Sequence, residues 1–413
     1  MPRLFDSELY DRYMEASLKY AMVPPVISPD VPLRYYPEVD DYTMSCGMSR
    51  TPGGRIWLAW FGNEDGDGAV LLLAHSDDDG KSFSNPDFII DPGFIPGGVH
   101  ISALVGNVWT APDGRLFLFV MQSLGFNDGR CGVWQSVCEN PDDEKPVWSV
   151  PARLWHGAAL NKPTVLQNGT WLLPVALWHR CLITVEQDHH SFWGRSKLFH
   201  ELDGRRGSNI LASTDQGRSW QLRGHVSNLF DMSFDEPMIL EREDKSLLMY
   251  MRDNHGMTQS ESSDEGNTWS SPVKTSFLSA SARFFLTRLA SGNALLVKYS
   301  DPIVSEQRSY LTAYVSKDGG ATWQGGLLLD ERCDVSYPDG FQASDGRIFV
   351  QYDRKRESGE ILLAVFTEED VLAGRDVSGK VVLKQPAIQS YSARMEVFSS
   401  MKIPHKNKSE GIK

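Results

Sequence analysis

The sequence has few cysteines and no long apolar run. Its five cysteines are odd in number, scattered over 413 residues and free of any C-x-x-C pair. They are Cys46, Cys131, Cys138, Cys181 and Cys333. This usage argues against a disulfide framework and against a structural zinc site, so we expect free thiols, no metal and no cofactor. No segment approaches the length of a membrane span.

Positive charge is in the minority. Forty-one Lys and Arg stand against 54 Asp and Glu, for a formal net charge of −13. An acidic field repels nucleic acid and anionic membranes, so we expect neither as a partner. The N-terminal stretch MPRLFDSELYDRYM mixes charged and apolar residues and lacks the apolar core of a signal peptide, so we expect a cytoplasmic protein. The oligomeric state stays open.

One short motif, S-x-D-x-G-x-x-[W/F], occurs four times. The copies begin at Ser76, Ser213, Ser262 and Ser316. Asp and Gly favour a tight turn, and Gly accepts the positive φ that other residues resist. A motif repeated at matching places predicts a repeat architecture built from hairpins.

A second repeat, a turn followed by an apolar strand, occurs six times. The copies are TPGGRIWLAW, PDGRLFLF, QNGTWLLP, EDKSLLMYM, ASGNALLV and SDGRIFVQY. Their spacing of roughly 60 residues suits four short strands plus loops. The four hairpin motifs follow units one, three, four and five, whereas unit two keeps a remnant (QSVCENPDDEKPVW) and unit six has none. We therefore predict an all-β fold, a six-bladed β-propeller.

The predicted propeller spans residues 31–403 as one catalytic domain. Residues 1–30 form an N-terminal helical segment, since apolar residues recur at helical spacing over Ser7–Lys19. Residues 404–413 are expected to be a disordered tail. The insertion His179–Gly207 interrupts the repeat and is either a cover for the central pocket or a surface excursion.

The innermost strand of each blade should precede the turn of its unit by about nine residues. At those places stand Ser45, Ser102, Lys162, Glu236, Arg283 and Tyr337. Buried charges need partners or a polar ligand. The convergence of charged and phenolic side chains at the axis predicts a small-molecule site there.

Three segments resemble the sialidase superfamily, the Asp-box six-bladed propellers. FDEPMILEREDKSLLMYMRDN is similar to the stretch that holds an active-site Glu and Arg, here Glu236 and Arg252. SEQRSYLTAYVSKDGG is similar to the stretch with a further Arg, here Arg308, and DVSYPDGFQ to that with a nucleophilic Tyr, here Tyr337. The resemblance implies that Glu236 is the base for Tyr337 and that the two arginines bind a sugar carboxylate.

The resemblance also implies a separate acid, on a loop between the first inner strand and the first Asp box. That loop, GNEDGDG, offers Glu64, Asp65 and Asp67, of which we favour Asp65. His100 in PGGVHIS is a further candidate acid or base.

One feature of the family is missing. Sialidases open with an F/Y-R-I-P motif whose Arg completes an arginine triad, and this chain has Thr43 at that place, in YTMSCGMSRTPGGR. Arg283 or Lys162 is therefore predicted to supply the missing positive charge to the substrate.

These features predict a sialidase-like, exo-acting glycoside hydrolase. Its substrate would be an oligosaccharide or glycoconjugate with a terminal acidic or uronate-linked sugar. Two alternatives remain. One is a rhamnosidase, arabinanase or polysaccharide lyase that uses His100 or paired carboxylates, and the other is a non-catalytic glycan-binding propeller.

Overall fold

A computed structural model describes most of the chain as six four-stranded antiparallel sheets, each built from four consecutive strands. It describes residues 11, 15–95, 100–183, 199–227, 234–300 and 308–400. The predicted six-bladed β-propeller is confirmed, because each sheet is one blade and its first strand lies at the axis.

The first three blades contain twelve strands. Blade one has β1 Met44–Arg50, β2 Ile56–Gly62, β3 Val70–Ser76 and β4 Phe88–Ile90. Blade two has β5 Ile101–Thr110, β6 Leu116–Leu124, β7 Gly132–Cys138 and β8 Ala152–Trp155. Blade three has β9 Thr164–Val165, β10 Trp171–Leu177, β11 Gly207–Ser213 and β12 Gln221–Val226.

The other three blades repeat the order. Blade four has β13 Met238–Glu241, β14 Leu247–Asp253, β15 Gly256–Ser262 and β16 Val273–Lys274. Blade five has β17 Phe285–Arg288, β18 Ala294–Tyr299, β19 Leu311–Ser316 and β20 Gln324–Asp330. Blade six has β21 Val335–Gln342, β22 Ile348–Arg354, β23 Glu360–Phe366 and β24 Val382–Gln389.

Helix is confined to short pieces. Two α-helices follow strands of blade six, α1 Glu368–Ala373 and α2 Tyr391–Ser400. Short 3-10 turns lie at Leu33–Tyr35, Arg180–Leu182, His200–Arg205 and Arg356–Ser358. No helix in the described ranges is long and apolar enough to cross a membrane.

Two predicted segments lie partly or wholly outside the described residues. Of the helix predicted over Ser7–Lys19, Asp11 and residues 15–19 are helical, and the rest lies outside them. The centre of the insertion, residues 184–198, and the predicted tail, residues 404–413, also lie outside them.

Each of the six predicted turn-and-strand units is the link between the first and second strands of a blade. The second strand is apolar on both faces because it packs between two neighbouring blades, and every residue of β2 and β6 is buried. The turns need glycine where φ is positive, as at Gly54 (φ 100) and Gly114 (φ 89).

The four Asp boxes join the third strand of a blade to the fourth. In the last of them, the Asp318 carboxylate accepts hydrogen bonds from Thr322 N at 2.8 Å and from Ser316 Oγ at 2.7 Å. Thr322 Oγ1 donates to the same carboxylate at 2.5 Å. The turn is therefore closed around one carboxylate.

Blades two and six lack an Asp box. In the remnant of blade two, Asn140 stands where the other boxes have Asp, and its Oδ1 accepts from Val147 N at 3.1 Å. In blade six a short helix replaces the box, capped by Thr367 and Asp370.

A buried charge cluster closes the axis. Asp339 of blade six contacts Lys162 Nζ at 2.7 Å and Arg283 Nη2 at 3.4 Å. Arg283 also donates to Asn161 Oδ1 at 2.9 Å and to the Cys46 carbonyl at 2.6 Å. We call Lys162, Arg283, Asp339 and Asn161 the axial charge cluster.

We expect Asp318→Ala to destabilise the protein by about 1–2 kcal/mol, because it removes a charged acceptor from three donors. Hydrogen bonds from Thr322 lower the pKa of Asp318 to about 2. Its contribution is therefore complete above pH 4 and is lost as the pH falls towards 2. Urea unfolding at pH 7 and at pH 3 measures both effects. The exposed neighbour variant Lys317→Ala is the control, and equal destabilisation by both would contradict the assignment.

Asp339→Asn should be more damaging, by about 3–5 kcal/mol, because it leaves two buried cations without their anion. The matched control is Asp345→Asn in the turn between β21 and β22, where the carboxylate is exposed and pairs with Arg347. Such surface pairs contribute about 0–1 kcal/mol. Thermal and urea unfolding distinguish the two variants, and similar midpoints would show that the cluster does not stabilise the fold.

Candidate active site

Tyr337 and Glu236 form a buried pair at one end of the axis. The Tyr337 hydroxyl donates to Glu236 Oε1 at 2.6 Å, although the two residues are 101 positions apart. Glu236 lies just before β13, and Tyr337 lies in β21 where the register shifts between Ser336 and Asp339. The predicted inner-strand positions are therefore adjacent in the fold.

Both residues have left-handed backbone conformations. The φ angle is 47° at Glu236 and 53° at Tyr337. For a residue with a Cβ this region is strained and is populated only when the surroundings enforce it. This backbone conformation directs both side chains into the axial space, where they form their hydrogen bond.

Tyr337 is protonated at neutral pH. Burial raises the pKa of its hydroxyl well above the usual 10, and the charge of Glu236 raises it further, while Arg252, Arg356 and Arg308 oppose the rise. The phenol therefore needs a base to become a nucleophile. Glu236 is at the distance of direct proton transfer.

Two predicted arginines lie beside the pair. Arg252, in β14, donates from Nη1 to Glu236 Oε1 at 2.9 Å. Burial alone would lower the pKa of its guanidinium, but Glu236 raises it overall. Arg308, just before β19, donates to Ser336 Oγ, and its guanidinium lies 5.7 Å from the Tyr337 ring centre.

A third arginine, Arg356, was missed in the sequence. It begins the 3-10 turn after β22, and its guanidinium stacks 4.4 Å from the Tyr337 ring centre. It donates to Ser336 Oγ at 2.7 Å and to Asp353 Oδ1 at 3.1 Å. The signal that could have found it is the basic run DRKRE at the end of the sixth unit.

Arg356 also lies against the position that lacks the family's arginine. The backbone N–H of Thr43 donates to the Arg356 carbonyl at 2.8 Å. Thr43 is fully buried. The position of the missing arginine therefore lies against the backbone of a residue of blade six, whose own guanidinium is beside Tyr337.

The acidic loop presents one carboxylate to the arginines. Asp65 Oδ2 lies 3.5 Å from Arg356 Nη1, and its side chain is 42% exposed. Glu64 accepts from the backbone of Gly68 at 2.6 Å, and Asp67 accepts from Phe126 N at 2.7 Å. Among the three candidates, only Asp65 is oriented towards Tyr337 and its arginines.

Three predicted site residues lie elsewhere. Lys162 and Arg283 were predicted to bind substrate, but the structure places them in the axial charge cluster, where their donors are taken by protein acceptors. His100 is held by the Asp67 carbonyl at 2.7 Å and the Asp91 carboxylate at 3.4 Å. No contact found in the described residues joins His100 to Tyr337 or Glu236.

An open cavity of about 620 Å³ lies beside the Tyr337–Glu236 pair. Its lining has three cations, Arg308, Lys355 and Arg356, against the two carboxylates Asp334 and Glu357, and two hydroxyls, Ser336 and Ser358, so positive charge is in slight excess. Such a wall suits a small anionic ligand. Within the described residues no cluster of His, Cys, Asp and Glu could hold a metal ion.

Comparison with known proteins agrees with this architecture. Residues 54–350 match the BNR repeat-like domain family. A sialidase of Bacteroides fragilis (strain YCH46) is 30% identical over 148 residues, which are 33% of this chain and 26% of that protein. The matched part thus spans about a quarter of that relative.

Known structures share the fold at low sequence identity. The intramolecular trans-sialidase of Ruminococcus gnavus superposes with a TM-score of 0.62 at 12% identity, covering 83% of this chain and 98% of that one. The Hadza microbial sialidase Hz136 gives 0.60 at 17%, covering 80% and 66%. A Dyadobacter fermentans protein of unknown function gives 0.58 at 16%, covering 83% and 97%. With a family match over most of its length and this fold, the chain belongs to the BNR repeat-like propellers of the sialidase superfamily.

Proposed function

We propose that this protein is a retaining glycoside hydrolase that releases a terminal sugar acid from an oligosaccharide or glycoconjugate. The observation that carries the proposal is the buried 2.6 Å hydrogen bond between the Tyr337 hydroxyl and Glu236. Sialidase relatives of this family give the proposal its substrate class.

A phenol suits an anomeric carbon that bears a carboxylate. A carboxylate nucleophile would be repelled by the substrate's own negative charge, whereas a neutral phenol is not until its proton leaves. Arg252, Arg308 and Arg356 surround the pair and can bind the substrate carboxylate through charge-assisted hydrogen bonds.

The reaction then proceeds in two displacements. The Tyr337 oxygen bonds to the anomeric carbon as its proton passes to Glu236, while the bond to the leaving oxygen breaks and Asp65 gives that oxygen a proton. In the second step water attacks the glycosyl-tyrosine and gives its proton to Asp65. Glu236 returns a proton to the departing phenolate.

We expect Tyr337→Phe to lower kcat/KM at least about 1,000-fold, since the covalent route is lost. Hydrolysis of aryl glycosides of sugar acids, with identification of the released sugar, measures this. Tyr250→Phe is the matched control, because Tyr250 is a fully buried tyrosine of blade four whose hydroxyl bonds to the Gly320 carbonyl. Full activity of Tyr337→Phe would overturn the mechanism. Binding without cleavage across a wide glycan panel would instead indicate a lectin.

Asp65→Asn should slow hydrolysis to an extent that depends on the leaving group of the substrate. For sugar leaving groups we expect kcat/KM to fall about 100-fold or more, and for nitrophenyl glycosides less than about 10-fold. This constant reports the first displacement, in which only a poor leaving group needs the acid, and not the second, in which Asp65 is the base. Glu64→Gln and Asp67→Asn are the matched controls. They change the other two carboxylates of the loop, which accept hydrogen bonds from backbone N–H groups. An equal loss for both kinds of substrate would mean that Asp65 positions the loop rather than donating a proton.

A further inference from the structure

Arg356 connects the nucleophile to the proposed acid. Its guanidinium lies 4.4 Å from the Tyr337 ring centre, and its Nη1 lies 3.5 Å from Asp65. Its other donors reach Ser336 and Asp353. One cation therefore lies within reach of both the expected anomeric carbon and the expected leaving group.

Charges of both signs surround Asp65. Partial burial raises the pKa of Asp65, and the nearby carboxylates Asp353 and Glu236 raise it further. Arg356 is the strongest opposing charge and Arg308 the next. Tyr42, uncharged, lies on the same side. Among the charges around Asp65, Arg356 is thus the one whose neutralisation would change its protonation most.

A bound carboxylate would change that balance. Arg308 and Arg356 share the Ser336 hydroxyl and line the same open cavity, so an anion there would contact both. An anion that pairs with Arg356 neutralises it and adds a negative charge near Asp65. Both effects favour the protonated form of Asp65.

We propose that Arg356 couples the two events: the substrate carboxylate binds to Arg356, and Asp65 takes up a proton as a result. The proposal rests on the proposed function of the site. It explains how a carboxyl group that is 42% exposed can act as an acid near neutral pH. The acid is protonated when substrate is bound and ionised when the pocket is empty.

The test is calorimetric binding of a non-hydrolysable sugar acid, the 2,3-unsaturated derivative of N-acetylneuraminic acid, to the full chain. Titration at several pH values from 5 to 7, in buffers of different ionisation enthalpy, reports the protons taken up. We expect uptake of a substantial fraction of one proton and a Kd that falls as the pH is lowered.

Three variants test whether Asp65 takes up the proton and whether the uptake needs Arg356. Asp65→Asn should bind the ligand without proton uptake, and Arg356→Gln should bind it at least 10-fold more weakly and also without uptake. The melting temperature of Arg356→Gln shows whether that variant folds. If it does not, Arg356→Lys, which keeps the charge, tests the coupling instead. The matched control is Arg347→Gln, the same change of charge at the opposite end of β22, where the side chain pairs with Asp79 and Asp345.

Proton-free binding by the wild type, or uptake that persists in Asp65→Asn, overturns the coupling. Failure to bind the ligand at millimolar concentration does so too, because the coupling needs Arg356 to hold a carboxylate. Turnover of a glycoside panel separates the two proposals. If the wild type cleaves sugar-acid glycosides without proton uptake, only the coupling fails, whereas an inert wild type contradicts the proposed function itself.

Discussion

The structure depends on the axial charge cluster, where groups from all six blades meet. Asp339 of blade six pairs with Lys162 of blade three and Arg283 of blade five. Asn161 of blade three donates to two carbonyls of blade four, Arg283 to a carbonyl of blade one, and Asn107 of blade two to the Leu160 carbonyl. Because each buried charge needs its partner, the cluster fixes the blades that supply those partners in one arrangement.

The cluster also sets the floor of the site. Arg283 lies 5.7 Å below the Tyr337 ring, and Asn161 holds the backbone carbonyl of Glu236 at 3.1 Å. The proposed nucleophile and its proposed base are therefore fixed from beneath, in backbone conformations that an unsupported chain would avoid. Rigid support of this kind keeps a nucleophile and its base at one distance while the loops above them bind substrate.

The sequence predicted the fold better than it predicted the site. Repeated turns and boxes report local backbone chemistry, so counting them was enough to obtain six blades and the inner strands. The same count placed Lys162 and Arg283 at the axis but could not show how far along the axis they lie. Both belong to the axial charge cluster and do not line the open cavity. Arg356 was missed because it lies in a loop after β22, where no repeat constrains its position.

In a propeller, the same charge can reach the central pocket from different blades. Every blade ends at the same central pocket, so a cation can enter it from any of several loops while the ligand meets the same charge. Here Thr43 lies beside Arg356, because its backbone N–H donates to the Arg356 carbonyl. Moving the charge to blade six also brings it within 3.5 Å of Asp65. One cation therefore lies both beside the position of the missing arginine and next to the proposed proton donor.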